Sequence, residues 1–172
     1  MRWVVIAAVA ASLLGIAGCA GGAAAPADVA AATVRLPACA SRLDGYPGFS
    51  SGQQQKSAHP GPPVPGNPVA AVVCRYADVG STLTSSVALT SRAKVARLQR
   101  AMNKSSVIPP GVPMLCLQSD GNSAVVLFVY PRGTPERIVG VDPWCVTLLT
   151  RSARYLADRD ARQLVADWTG KW

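Results

Sequence analysis

The sequence predicts an α+β domain: an antiparallel sheet of about five strands with two helices, in the order β-β-α-β-β-β-α, held by two disulfides. Three observations carry this. The runs AAVVCRYADV at 70–79 and SAVVLFVY at 123–130 are rich in β-branched and aromatic residues. Two segments, one after Thr90–Ser91 and one after Asp158, place apolar residues at helical spacing. Four cysteines, Cys39, Cys74, Cys116 and Cys145, are spread over the same span with no C-x-x-C among them.

The elements follow in chain order. Arg2 provides a positive start, and 4–17 is apolar apart from Ser12 and Gly15, a run too short for the roughly 20 residues a spanning helix needs. It ends in Ile16-Ala17-Gly18-Cys19, which resembles the bacterial lipoprotein signal. The resemblance implies cleavage between Gly18 and Cys19 and a lipid on the Cys19 sulfur. Each buried CH₂ of an acyl chain contributes about 0.8 kcal/mol, so two or more chains hold a protein on a membrane. The expected layout is a signal peptide at 1–18, a flexible Ala/Gly tether at 19–33 and one globular domain at 34–172. Within that domain 46–68 is dense in Pro, Gly, Ser and Gln and reads as a long surface loop.

Residues 70–79 and 82–89 form a hairpin around Gly80-Ser81. Thr90 or Ser91 then caps a helix to about Asn103, with Val95, Leu98 and Met102 on one face. Val107 to Pro113, with three prolines and a glycine, is an extended connector. Met114–Leu117 is a short strand carrying Cys116. The run 123–130 is apolar on both alternating faces, as in a central strand covered on both sides. After a turn at 131–136 come strands at 137–141 and 145–150, and Asp158 caps a last helix with Ala161, Leu164, Val165 and Trp168 on its inner face. Both helices are expected on one face of the sheet.

Export fits the cysteines. With Cys19 lipidated, four remain in an oxidising compartment, and one histidine, His59, is too few for a zinc site. Three pairings are open to four cysteines. Nearest neighbours in sequence give Cys39–Cys74 and Cys116–Cys145, each contributing about 3 to 4 kcal/mol in the chain-entropy model. No metal and no cofactor is expected.

Several of these residues also form a pattern. Ala71-Val72-Val73-Cys74-Arg75-Tyr76, Leu98-x-x-x-Met102-Asn103, Cys116, Val129-Tyr130-Pro131-Arg132-Gly133 and Cys145 resemble a set recurrent in secreted proteins and lipoproteins of high-GC actinobacteria. The similarity spans about Leu36 to Thr150. The motifs are structural, so it implies a fold and carries no activity or catalytic residue. The chain departs from the pattern at Trp144, where Gly commonly precedes the last cysteine.

Composition narrows the function. Without residues 1–18 the chain has 16 Lys and Arg against 9 Asp and Glu, a balance suited to anionic lipid or cell-wall polymer outside a membrane rather than to nucleic acid. The first helix concentrates it: Arg92, Lys94, Arg97, Arg100 and Lys104 carry no acid among them, and Arg97, Arg100 and Lys104 share a face. These three are the candidate anionic-surface residues. Gly48-Phe49-Ser50-Ser51-Gly52 matches G-x-S-x-G, but Pro47 precedes it and a proline cluster follows, which is no setting for a nucleophile elbow. One histidine and one glutamate, Glu136, leave few acid–base pairs to assemble. The reading is therefore a lipid-anchored, non-enzymatic binding or accessory module with the membrane and an unidentified protein as further partners. A protease inhibitor presenting Val107–Pro113 is the alternative, ahead of a hydrolase.

Overall fold

The computed structural model describes residues 34–45, 60–77, 82–113, 122–131 and 136–170. The chain divides into two units, Met1–Thr33 and Val34–Trp172, and all described residues belong to the second. Seven strands, β1 (Ala70–Ala77), β2 (Thr82–Leu89), β3 (Ser106–Val107), β4 (Ser123–Val129), β5 (Arg137–Asp142), β6 (Thr147–Leu149) and β7 (Arg154–Leu156), join with helices α1 (Arg92–Asn103) and α2 (Arg159–Thr169). The strands make one antiparallel sheet in the order β2-β1-β4-β5-β6-β7-β3.

The period-two pattern decides which side chain meets which layer. In β1, Ala71 and Val73 point to the helices and Val72, Cys74 and Tyr76 to the opposite face; in β4, Ala124, Val126 and Phe128 face the helices and Val125 and Leu127 look away. Val73 pairs with Val126 and Cys74 with Val125, so each layer is continuous across the two strands. β4 is covered on both sides, as its unbroken apolar run requires.

α1 and α2 lie together on one face. Val95, Leu98 and Met102 are wholly buried, as are Ala161 and Val165. The Asp158 side chain accepts from the Asp160 N–H at 2.9 Å and caps α2; Ser91 is the N-cap of α1 without a side-chain bond. At the other end of α2 the Arg75 guanidinium donates to the Thr169 carbonyl at 3.2 Å, placing a cation at the helix C-terminus.

The opposite face is covered by residues 34–45. Leu36, Ala40 and Leu43 pack on Val72, Tyr76, Val125 and Leu127. The Cys39–Cys74 disulfide, with Cα atoms 5.8 Å apart, ties this strap to β1. Tyr76 Oη donates to the Ala40 carbonyl at 2.9 Å, and the Leu83 N–H donates to the Ser41 carbonyl at 2.9 Å.

Four expectations need correction. Among the described residues the sheet has seven strands, not about five. β6 and β7 are joined at Thr150–Ala153, where Thr150 Oγ1 donates to the Ala153 carbonyl and accepts from its N–H, both at 3.1 Å. Arg151-Ser152 in that turn lacks the Asn-Gly or Gly signature that would have marked a hairpin. β3 falls at the edge of the supposed connector, pairing Val107 with Tyr155.

The strand drawn from Cys145 starts at Thr147. Asp142 Oδ1 accepts from the Trp144 and Cys145 N–H groups at 3.0 Å each, making a turn that carries Val146 to φ 53°. Cys145 is disulfide-bonded; Cys116, its expected partner, lies outside the described residues, with the strand at 114–117.

The described part of the supposed surface loop, 60–68, is a strap built into the helical face. Val64 is wholly buried in the main apolar cluster. Asn103 clasps it, accepting from the Val64 N–H and donating to its carbonyl, both at 2.9 Å. Further side chains donate to neighbouring carbonyls: Tyr155 Oη to Gly61 at 2.6 Å, Arg137 Nε to Pro63 at 2.9 Å, and Tyr130 Oη to Pro65 at 2.7 Å. Prolines have acceptors but no N–H to give, so a proline-rich strap can be seated by donors from side chains rather than by a ladder.

Candidate functional site

Because α1 turns Val95, Leu98 and Met102 inward, its 3.6-residue repeat leaves Arg97, Arg100 and Lys104 exposed on the outside. α2 runs beside them. The two helices enclose a groove of about 340 Å³ in which Arg97, Arg100 and Lys104 meet Asp160, Gln163 and Asp167. Lys104 Nζ pairs with Asp160 Oδ2 at 3.0 Å, and its ammonium is held above the ordinary 10.5 by that hydrogen bond and by the charges of Asp160 and Asp158. The face expected to be uncompensated is thus partly neutralised from the second helix. Gln163 donates to Asp167 at 2.7 Å. Among the described residues Arg97 and Arg100 make no ion pair.

A second region surrounds the turn before β6. Pro143, Trp144, Arg159 and Arg162 line a recess of about 220 Å³. Among the described residues Trp144 Nε1 and Arg162 Nε are buried without a hydrogen-bond partner.

The third region is one the sequence reading passed over as a turn. Tyr130, just after β4, and Glu136, just before β5, line two concavities at once. One, of about 480 Å³, is walled by Arg35, Leu36, Pro37 and Ala38 from the disulfide-tied strap. The other, of about 540 Å³, is walled by Pro65, Gly66 and Asn67 from the proline strap, with Pro131 and Arg137. Partial burial raises the Glu136 carboxyl above the ordinary 4.5, and the Tyr130 hydroxyl is raised above 10.0 for the same reason, with Arg137 acting in the opposite direction. Gly66, which packs beside the Tyr130 ring, has φ +66°, a left-handed conformation that glycine adopts without strain. The signal in the sequence was Glu136 itself, the one glutamate of the chain, beside an aromatic and a proline.

Cys19, the G-x-S-x-G match at 48–52 and His59 lie outside the described residues. Within the described residues no three His, Cys, Asp or Glu side chains cluster as metal ligands, and no helix is long and apolar enough to cross a membrane. No family model, curated protein or solved structure matches the chain.

Proposed function

We propose that the protein is an extracytoplasmic lipoprotein, anchored through Cys19, whose domain acts without catalysis as a binding module for an anionic surface of the cell envelope. The observation that carries the binding part is the exposed pair Arg97 and Arg100 on α1. They line a groove and, among the described residues, make no ion pair, while Lys104 is engaged by Asp160. The anchor rests on the Ile16-Ala17-Gly18 approach to Cys19, and the Cys39–Cys74 disulfide agrees with an oxidising compartment. The same reading pairs Cys116 with Cys145 and places the chain with the secreted actinobacterial proteins it resembles.

Near an anionic membrane each unpaired cation contributes about 1 kcal/mol, fading over a Debye length of roughly 8 Å at physiological salt. Two such arginines correspond to about a 30-fold change in binding. A soluble domain beginning at Thr33 is sedimented with anionic liposomes and, separately, with isolated cell wall, at low and high salt. Arg97→Gln with Arg100→Gln should weaken binding about 30-fold, and salt should abolish it. Equal binding by wild type and variant, or indifference to salt, removes the surface-binding reading. Labelling with a fatty-acid analogue tests the anchor independently: Cys19→Ser should lose the label.

A further inference from the structure

The acids along α2 are already engaged. Asp158 caps the helix through the Asp160 N–H, Asp160 pairs with Lys104, and Asp167 accepts from Gln163. Asp142, ahead of Trp144, accepts from the Trp144 and Cys145 N–H groups. Arg159 and Arg162 gain none of them: among the described residues neither makes an ion pair. Three residues apart on α2, the two arginines share a face. With Pro143, Trp144, Gln163 and Ala166 they line the recess of about 220 Å³, which has no acid in its wall. The same lining holds the two N–H donors that are out of water with nothing accepting from them, Trp144 Nε1 and Arg162 Nε. Folded proteins leave few buried donors unpaired, and two in the wall of one basic recess call for a shared acceptor that carries negative charge.

We infer that the recess between Trp144 and α2 binds the phosphate group of a phosphoester. Guanidinium forks match phosphate oxygens in pairs, and Arg159 and Arg162 bring two forks to one place. The indole N–H adds a third side-chain donor. Three converging donor groups suit a group with several terminal oxygens better than a carboxylate with two. Size points the same way. At about 220 Å³ the recess is smaller than the sites that enclose a whole small molecule, so it takes the charged group and leaves the rest of the ligand outside, beside the Pro143 and Trp144 rings. Trp144 and Arg162 are half-buried, and a small rotation of each side chain turns its N–H to a bound oxygen. The frame is fixed beforehand, by Asp142 under the Trp144 backbone and by the Asp158 cap of α2, so binding spends little on ordering it. Gln163 alone lines both this recess and the groove against α1, so the phosphate site is separate from the surface contact through Arg97 and Arg100.

The full chain, isotope-labelled at tryptophan and held in a nonionic detergent, is titrated with inorganic phosphate and with acetate at matched ionic strength. The indole N–H resonance of Trp144, assigned by its loss in Trp144→Phe, should shift saturably with phosphate and hardly with acetate. By calorimetry Arg159→Gln with Arg162→Gln should weaken phosphate at least about 10-fold. Arg162→Lys, which keeps the charge and loses the fork, should weaken it less, and Arg97→Gln with Arg100→Gln should leave it unchanged. Phosphate should raise the melting temperature of the wild type and not that of Arg159→Gln with Arg162→Gln, and the same melts verify that each variant is folded. Glycerol 3-phosphate and micelles containing phosphatidylglycerol separate the sources: a shift with the first alone assigns a soluble phosphoester, and a shift with the micelles assigns a lipid headgroup. A Trp144 resonance unmoved by millimolar phosphate, or wild-type affinity in Arg159→Gln with Arg162→Gln, overturns the inference. Acetate bound as tightly as phosphate overturns the phosphate group as occupant, and a response to inorganic phosphate with neither ester overturns the phosphoester. Weaker phosphate binding by Arg97→Gln with Arg100→Gln overturns the recess as a separate site.

Discussion

On its helical face the sheet buries Val73, Val126, Phe128 and Tyr155 beneath α1 and α2, with Val64 of the proline strap inserted among them. On the other face Val72, Tyr76, Val125 and Leu127 are met, among the described residues, by the segment 34–45. The larger cluster is held by apolar contact and by side-chain bonds to carbonyls; the smaller one carries a covalent tie, Cys39–Cys74. A segment covering so small an apolar area recovers little of its ordering entropy from burial, and the disulfide offsets the difference by limiting the unfolded chain. The two coverings meet at Tyr130 and Glu136, where both straps contribute walls.

That contrast can be broken first at the staple. Replacing Cys39 and Cys74 together with Ser opens a loop of sequence separation 35 and should cost about 4 kcal/mol in guanidinium unfolding. The strap should also become the first site of proteolysis. If it stays protease-resistant, apolar contact alone holds that face. Leu98→Ala on the helical face, wholly buried, should cost about 3 kcal/mol, with no effect on strap proteolysis. Asn103→Ala removes both bonds to Val64 and leaves its N–H without that acceptor, for a loss of about 2 kcal/mol. A neutral result would mean that Val64 is held by packing alone.

The smallest effect belongs to the meeting point. Burial raises the folded Glu136 carboxyl above the ordinary 4.5, so the folded state holds its proton more tightly than the unfolded one. The resulting stability is complete below 4.5, declines as pH rises through the raised folded value, and is absent above it. Glu136→Gln should flatten this shallow slope in unfolding midpoints taken from pH 4 to 7. An unchanged slope would show that Glu136 does not carry it.

Much of the architecture was legible because it is local and periodic. The unbroken apolar run at 123–130 announces a strand buried on both sides, and Val95, Leu98 and Met102 announce the inner face of α1. Asp158 is recognisable as a cap from its place before the last amphipathic run. The pairing of Cys39 with Cys74 also followed from their proximity in sequence. Strands as short as Ser106–Val107 and Arg154–Leu156 are below the length at which alternation registers. The turn at 150–153 is closed by a Thr hydroxyl instead of a glycine, so it left no mark.

By itself the sequence determined the covering of β4, the two helices with their buried stripes, and the concentration of basic residues on α1, since each depends on residue spacing within one element. Tertiary structure alone decided which charges survive that concentration, because Asp160 reaches Lys104 only when α2 packs beside α1. It decided likewise that the proline segment 60–68 is a built-in strap. That segment has no period to read, and its carbonyls are satisfied by donors as distant as Tyr155. The cleft at Glu136 is of the same kind: its walls come from residues 35–38 and 65–67 and from Tyr130, Pro131, Glu136 and Arg137, and no spacing along the chain encodes the meeting of segments so far apart.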